Sequence, residues 1–283
     1  MNPDHAPGSA LLQPAWWAEQ VKNLHQPSRM PRRVLQLHGQ NIGSVAEPAF
    51  SQFVHRAQVD KWLQHDQAAD AWQIMGDPDR AVDVVARAMR EWRYARVDEL
   101  WRDELLAIRD ARGAELLRVE RGAVRALGLR TQAVHLHGLT PDGRIWLQQR
   151  STQKATDPGL WDTLMGGMVS AQDNLTQALR RETWEEAGLP LACLRRLHAG
   201  GYFVQQRPHA MDGGLGYLVE RIDWFVAEVP ADRPPRNIDG EVARFAALAP
   251  IELVPLLHSG QVTPESSIIL AQAVFGLQLP AQP

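Results

Sequence analysis

The chain has a single cysteine, Cys193, in 283 residues. One thiol forms no intramolecular disulfide and builds no zinc site on several thiolates, and such scarcity fits a reducing, cytoplasmic compartment. No apolar run approaches the roughly 18 residues that span a bilayer. The first residues, Met1-Asn-Pro-Asp-His5, carry acid and proline where a secretory leader has a basic start and an apolar stretch. Neither export nor membrane insertion is expected. Charge of one sign is scarce too: 30 Lys and Arg against 33 Asp and Glu leave a net −3. No global positive field exists to hold nucleic acid or an anionic membrane, and neither a helix-turn-helix signal nor a basic patch is present. Internal repeats and low-complexity tracts are missing.

What is there is a globular composition. Hydrophobic residues at 45% and charged residues at 22% argue against intrinsic disorder, and the length suits two domains of ordinary size. Tryptophan is abundant, with ten residues. Trp62, Trp72, Trp92 and Trp101 lie in helix-like stretches, where core packing is the first use and an aromatic ligand pocket the second.

Roughly the first 28 residues are rich in proline and glycine without periodicity, and read as an irregular arm. Phe50, Phe53, Val54 and Val59 recur at near-helical spacing over 49–63, and Val82, Val85, Met89 and Trp92 form one apolar face of a helix over 79–92. A further helix is expected over 118–127, stopped by Gly128. After Arg130 the period changes. Residues 132–139 alternate as a strand, Pro141-Asp142-Gly143 is a turn, and 144–149 is the returning strand. Val134, Leu136, Ile145 and Leu147 are expected to share the inner face, leaving His135 and His137 toward solvent or a satisfied polar contact. The boundary is placed near Leu129: an α+β N-terminal domain over 1–129 and a catalytic domain over 130–283.

The chemical signal is the segment Gly166 to Leu189, GGMVSAQDNLTQALRRETWEEAGL. Asp173 is a suitable N-cap, 174–187 suits a helix, and Gly188 stops it. Glu182, Glu185 and Glu186 are spaced i, i+3, i+4, so three carboxylates leave one face and repel by tenths of a kcal/mol per pair. A divalent cation would relieve that repulsion, and carboxylate oxygens suit hard Mg²⁺ or Mn²⁺, which bring substrate phosphates with them. The alternative is a solvated acidic face paired with Arg180 and Arg181. Two features weigh for the metal: Gly167 lets backbone approach closely, and Arg181 is placed to hold Glu182 by a charge-assisted bond.

This segment resembles the Nudix box, G-x5-E-x7-R-E-U-x-E-E-x-G-U with U aliphatic. Gly167, Arg181, Glu182, Glu185, Glu186, Gly188 and Leu189 fall on its required positions, while Asp173 replaces the first glutamate and Thr183 fills an aliphatic slot. The resemblance implies an α/β/α sandwich with a mixed sheet and hydrolysis of a diphosphate linked to a group X. Glu185 and Glu186 would be the principal metal ligands, assisted by the Gly167 carbonyl. Glu182 would complete the site or take the proton of the attacking water, and Arg181 would orient it. One more acid usually comes from outside the box; Glu241 is the candidate, with Asp239 second. Arg150 and Lys154, at a strand end and in the loop after it, are candidates to clamp the diphosphate.

Two narrower groups are similar. Isopentenyl diphosphate isomerase shares the QQR-x3-K-x3-PGLW style of residues 148–161, but it needs a cysteine soon after the tryptophan, and Asp162 to Met168 contains none. The branch associated with thiamine pyrophosphokinase, which carries an extra N-terminal domain, is similar over a longer stretch. Trp101-Arg-Asp-Glu-Leu105, Val119-Glu-Arg-Gly-Ala123, Val134-His-Leu-His-Gly138, Lys154 to Leu160 and Asp239-Gly-Glu-Val242 resemble its segments. That likeness implies hydrolysis of thiamine diphosphate or its oxidised or damaged analogues to the monophosphate and phosphate. Trp101, Trp161, Tyr202 and Trp224 could stack on the substrate rings. The N-terminal domain is left with two roles, a wall of the pocket or a homodimer contact. A pyrophosphohydrolase of nucleotide sugars or dinucleotides would use the same catalytic residues. A non-catalytic nucleotide-binding regulator is disfavoured by the retained glutamates.

Overall fold

The computed structural model describes residues 11–154, 156–209 and 213–280. Helix α1 (Pro14–Leu24) comes first, followed by β1 (Arg32–Leu37), β2 (Gln40–Ala46), α2 (Ala49–Ala57), β3 (Leu63–Asp66), β4 (Ala71–Ile74), α3 (Pro78–Glu91) and the single turn α4 (Val97–Leu100). A hairpin, β5 (Leu105–Arg109) and β6 (Glu115–Glu120), leads through a 3₁₀ turn into β7 (Arg130–Leu139), β8 (Ile145–Arg150), β9 (Trp161–Asp162) and β10 (Met165–Met168). Then come α5 (Leu175–Ala187), β11 (Arg195–Pro208), β12 (Tyr217–Glu228), β13 (Val242–Leu248), α6 (Pro250–His258) and α7 (Pro264–Ala273). No helix among the described residues is long and apolar enough to cross a membrane.

The N-terminal region is α+β. Its sheet has the order β2-β1-β4-β3, and α2 and α3 cover it with Phe50, Phe53, Val82, Val85 and Met89, all buried. Phe50 meets Trp72 edge-on at 5.3 Å between ring centroids, the arrangement that the aromatic quadrupole favours. Helix α3 starts at Asp77, whose carboxylate accepts from Arg80 N at 2.9 Å, and Pro78 at the first turn fits because its missing N–H has no helical partner anyway. The second sheet is mixed, β11-β12-β7-β8-β13, with β10 added to β7 and β9 to β8. Only β12 with β7 runs parallel within it. Helix α5 packs on one face through Ala178, Leu179 and Ala187 against Val134 and Leu136. The other face is covered by α7, where Ile268 and Ile269 meet Ala133, Phe203 and Ile222. Helix, sheet, helix is the sandwich that the sequence resemblance implies.

Several sequence expectations are corrected. The arm contains α1, because Trp16 and Trp17 pack on the cluster of α6 and α7, and Trp16 Nε1 donates to Leu257 O at 3.2 Å; that partner is too distant in sequence to show as local periodicity. The helix over 49–63 ends at Ala57 with Gln58 left-handed, and Leu63 opens a strand. The stretch 118–127 is the end of β6 followed by one 3₁₀ turn, since Leu117 and Val119 alternate into the core opposite β5. Trp72 lies on a strand, and Trp92 caps α3 at 53% exposure rather than joining the core. Register also overturns one face assignment: Leu139 pairs with Ile145 and Gly138 with Trp146, so Ile145 and Leu147 lie on the side of His135 and His137. Both histidines are buried, at 5% and 2%, because α7 covers that side. Burial pushes the His137 imidazole down to about 4.

The two regions are stitched together. Ser44 N donates to Leu127 O at 3.0 Å, Ala171 N to Leu105 O at 2.8 Å and Tyr217 N to Arg125 O at 2.8 Å. Phe50→Ala, at a fully buried position, is expected to cost about 3–5 kcal/mol, read from urea unfolding; a loss under about 1 kcal/mol would contradict this packing.

Candidate active site

The site is built where β10 turns into α5. Asn174, not Asp173, caps the helix: its side chain accepts from Gln177 N while Gln177 reaches back to Asn174 N, a reciprocal box. Asp173 is recruited instead by Arg181, whose Nε donates to it at 2.9 Å. Thr183 fills its aliphatic slot by returning its hydroxyl to Leu179 O at 2.6 Å, so the buried oxygen is satisfied within the helix. Gly188 ends the helix in the left-handed conformation, φ 64°.

Two glycines permit the acids to sit under the strand. A Cβ on Gly167 would fall 2.1 Å from Glu182 Cδ, and one on Gly166 would fall 2.5 Å from His135 Cε1. Neither position accepts a side chain without displacing its neighbour. Glu182 and Glu186 are buried, at 9% and 2%, while Glu185 sits at the rim. Glu186 accepts from Gln148 Nε2 at 2.7 Å, Gly166 N at 3.0 Å and Lys154 Nζ at 3.2 Å. Arg181 Nη1 donates to Glu182 at 2.8 Å and Glu185 at 3.1 Å. Lys154 also pairs with Glu241 at 2.5 Å, which brings the acid from outside the box to the same place. Asp239 accepts from Glu241 N at 2.8 Å and shapes the loop.

The electrostatics follow from this crowding. Burial pushes the Glu182 carboxyl up to about 7, opposed by Arg181 and reinforced by Glu186 and Glu185. Burial raises Glu186 as well, against Lys154. Burial also works to raise Glu241, but Lys154 outweighs it and holds that carboxyl below its ordinary range. Among the described residues no three acids, histidines or cysteines already form a metal cage; Lys154 and Arg181 hold the carboxylates instead. The donors nevertheless fit a hard divalent cation: oxygen atoms only, a glycine allowing close approach, and buried carboxylates whose repulsion raises their own proton affinity.

These groups line one cleft of about 550 Å³ together with Arg102, Glu104, Arg121 and Arg125 from the N-terminal region and with Asp162, Glu220 and Glu265 on its floor. Arg150, a predicted clamp, lines it too, but its guanidinium is used at home, donating to Asp162 at 3.0 Å and to Thr156 O at 3.0 Å. Gln148, Gly166, Asp162 and the N-terminal arginines were not singled out from the sequence. Arg102 and Arg121 do lie inside the WRDEL- and ERGA-like segments, which was the available signal. None of the aromatic candidates lines the cleft. Trp101 is covered by Arg90, Trp161 by Arg244 and Tyr202 by Arg221, and Trp224 lies under Gly200 and lines a separate pocket.

Residues 129–268 match the NUDIX domain. The chain is 27% identical over 190 residues to Nudix hydrolase 24, chloroplastic, of Arabidopsis thaliana, covering 64% of this chain and 51% of that protein. It is 29% identical over 178 residues to Nudix hydrolase 20, chloroplastic, of the same plant, covering 60% and 44%. To an isopentenyl-diphosphate Delta-isomerase of Kocuria rhizophila it is 29% identical over 127 residues, 45% of this chain and 67% of that one. The chain thus spans about half the length of the two plant relatives, 51% and 44%.

Because the Glu182 carboxyl titrates near 7 in the fold against an ordinary 4.5, its protonated form is favoured. The stability this gives is full below the unfolded value and is lost as pH rises through the folded one. In EDTA, Glu182→Gln should therefore gain melting temperature relative to wild type between about pH 5 and about pH 8, and Mn²⁺ should erase that gain by stabilising wild type at the higher pH. A difference that stays flat with pH would contradict the assignment.

Proposed function

Since residues 129–268 form a Nudix domain, we propose that the protein is a divalent-metal-dependent hydrolase of a diphosphate linkage. Its preferred substrate in this reading is thiamine diphosphate or an oxidised or damaged analogue, released as the monophosphate and phosphate. The observation that carries the proposal is convergence. The segments that resemble the thiamine pyrophosphokinase-associated branch are spread over residues 101–242, yet Arg102, Glu104, Arg121, Gly122, His135, Lys154, Asp239 and Glu241 from them line the same cleft as the box glutamates. Segments with separate structural duties have no reason to meet in one concave site.

Glu182, Glu185, Glu186 and the Gly167 carbonyl would hold Mg²⁺ or Mn²⁺. When bound, that ion supplies charge neutralisation at phosphorus and a more acidic water. The chain's own groups set the rest. Gln148 and Gly166 N fix the Glu186 carboxylate, and Arg181 fixes Glu182, so the acids are oriented before substrate arrives. Glu182, titrating near 7, is matched to take a proton from water at neutral pH. Lys154 keeps a compact positive charge beside the acids where a diphosphate must lie, and Glu241 is the extra ligand or base. An isomerase is disfavoured: residues 162–168 lack a cysteine, and Cys193 packs beside the α5 core, outside the cleft. A pyrophosphohydrolase of a nucleoside diphosphate derivative is the second reading, favoured by the arginines on the N-terminal wall.

Hydrolysis should be screened by chromatography of the products with Mg²⁺ and Mn²⁺ on thiamine diphosphate and its oxidised forms, which would release phosphate, and on nucleotide sugars and dinucleotides, which would release two monophosphates. Turnover of the thiamine compounds is expected; turnover of nucleotides alone would select the second reading. Glu186→Gln should lower kcat by about 10²–10³ with the fold intact, and unchanged activity would remove the metal assignment. Lys154→Ala should raise KM about tenfold with kcat changed less than about threefold; an unaltered KM would displace the clamp.

A further inference from the structure

Arg125 has hydrogen-bonding capacity that no other described residue uses. It sits in the turn between the 3₁₀ turn Arg121–Ala123 and β7, with its backbone fixed: its carbonyl accepts from Tyr217 N at 2.8 Å and from Gly128 N at 3.2 Å. Its neighbours Val124, Ala126 and Leu127 are buried in the N-terminal core, which leaves the Arg125 side chain as the one of this group that, with Val124, borders the cleft. A guanidinium carries five N–H donors and does not lose its charge in a protein. Among the described residues, Arg125 forms no ion pair, and its side-chain hydrogen bond runs from Nη1 to the His209 ring. That ring is neutral at physiological pH: burial and the cations of Arg125, Arg207 and Arg96 push it down to about 3.

The nearby carboxylates Glu220 and Glu265 favour the Arg125 charge from a distance, but among the described residues neither forms an ion pair with it. Glu220 already accepts from Thr131 Oγ1 at 3.2 Å and from Gln205 Nε2 at 3.2 Å. Glu265 lies 3.8 Å from Arg207 Nη2. Arg121, the adjacent cation, is paired with Glu104 at 2.7 Å. Half-buried Arg125 therefore presents to the cleft a positive charge whose remaining donors no described residue takes, and a ligand oxygen can replace water on them. The cleft is continuous from Glu182, Glu185 and Glu186 to Arg125. A diphosphate held at the acids must send its remaining portion, X, along it.

We infer that Arg125 is a specificity-determining residue for X, and that the X it selects carries an oxygen acceptor, a neutral carbonyl or an anionic group, rather than a cationic ring. This rests on the diphosphate-hydrolase reading above and sharpens it. A fixed cation on X would be placed against a guanidinium that cannot discharge, whereas an oxygen would receive N–H donors that no other described residue takes. Within the thiamine series, this favours the neutral thiazolone over the intact thiazolium. It also assigns the N-terminal region a direct part in substrate choice.

The test is steady-state kinetics with Mn²⁺ for wild type, Arg125→Gln and Arg125→Lys, on three probes. Thiamine diphosphate offers a cationic ring, its 2-oxo analogue a neutral carbonyl, and a dinucleoside tetraphosphate an anionic X. Wild type should prefer an oxygen-bearing probe. Arg125→Gln should lower kcat/KM for that probe by about 30-fold or more, chiefly through KM, while thiamine diphosphate changes by less than about threefold. Arg125→Lys should retain more activity on the anionic probe than on the carbonyl one, because charge survives and the planar fork does not. An equal loss on all probes, or a loss confined to kcat, would overturn the inference and mark Arg125 as structural. Calorimetric binding of the same probes to the metal-loaded protein separates the two readings. If nothing is hydrolysed but the oxygen-bearing probes bind more tightly than thiamine diphosphate and lose that margin in Arg125→Gln, the hydrolase reading fails and the role of Arg125 stands. If all probes bind alike or none binds, the inference fails.

Discussion

Everything in this protein turns on keeping two glutamates in a place that disfavours their charge. Glu182 and Glu186 lie beneath the β10 backbone, and removing carboxylates from water costs several kcal/mol each unless charge and hydrogen bonds return it. The fold supplies that compensation with specific groups: Arg181 on Glu182, and Lys154, Gln148 and Gly166 N on Glu186. Each comes from a different element, so α5, β8, β10 and the loop after β8 are bound to one another through the acids. The two glycines of β10 are required for the same reason, since any side chain there would strike Glu182 or His135.

This arrangement also fixes what the cleft can do. Positive groups restrain the carboxylates, so the chain's own side chains order this end of the cleft. Its other half is different in kind. The N-terminal wall brings arginines: Glu104 pairs with Arg121, while among the described residues Arg125 has no ion-pair partner. A glutamate end and an arginine-bearing end give the cleft a direction. The direction exists only because the β5–β6 hairpin and the 3₁₀ turn after it are tied to β7 and β12 by backbone bonds.

How much of this was visible in the residues follows from how local each determinant is. Helix α5 and its acids were legible because capping, period and spacing all lie within one short segment. Even there the cap was displaced by one residue, because Asp173 serves Arg181, a tertiary use that composition does not show. Helix α1 was hidden, since its partner Leu257 stands 241 residues away. The stretch 118–127 was misread because Leu117 and Val119 satisfy a strand's alternation only when β5 is known to lie opposite. The face of His135 and His137 depended on where the turn set the register of β7 with β8, and on α7 covering that side. Glu241 was legible as an acid but not as the partner of Lys154, and Arg125 was invisible because His209 is 84 residues distant.

The most direct measurement is anomalous diffraction from crystals grown with Mn²⁺ and a slowly hydrolysed diphosphate. The account predicts a manganese peak bounded by the Glu182, Glu185 and Glu186 carboxylates and the Gly167 carbonyl, at about 2.0–2.3 Å from ligating oxygens, with Lys154 turned toward the phosphate. A peak elsewhere, or these carboxylates still held by Lys154 and Arg181 with no ion among them at saturating manganese, would contradict it.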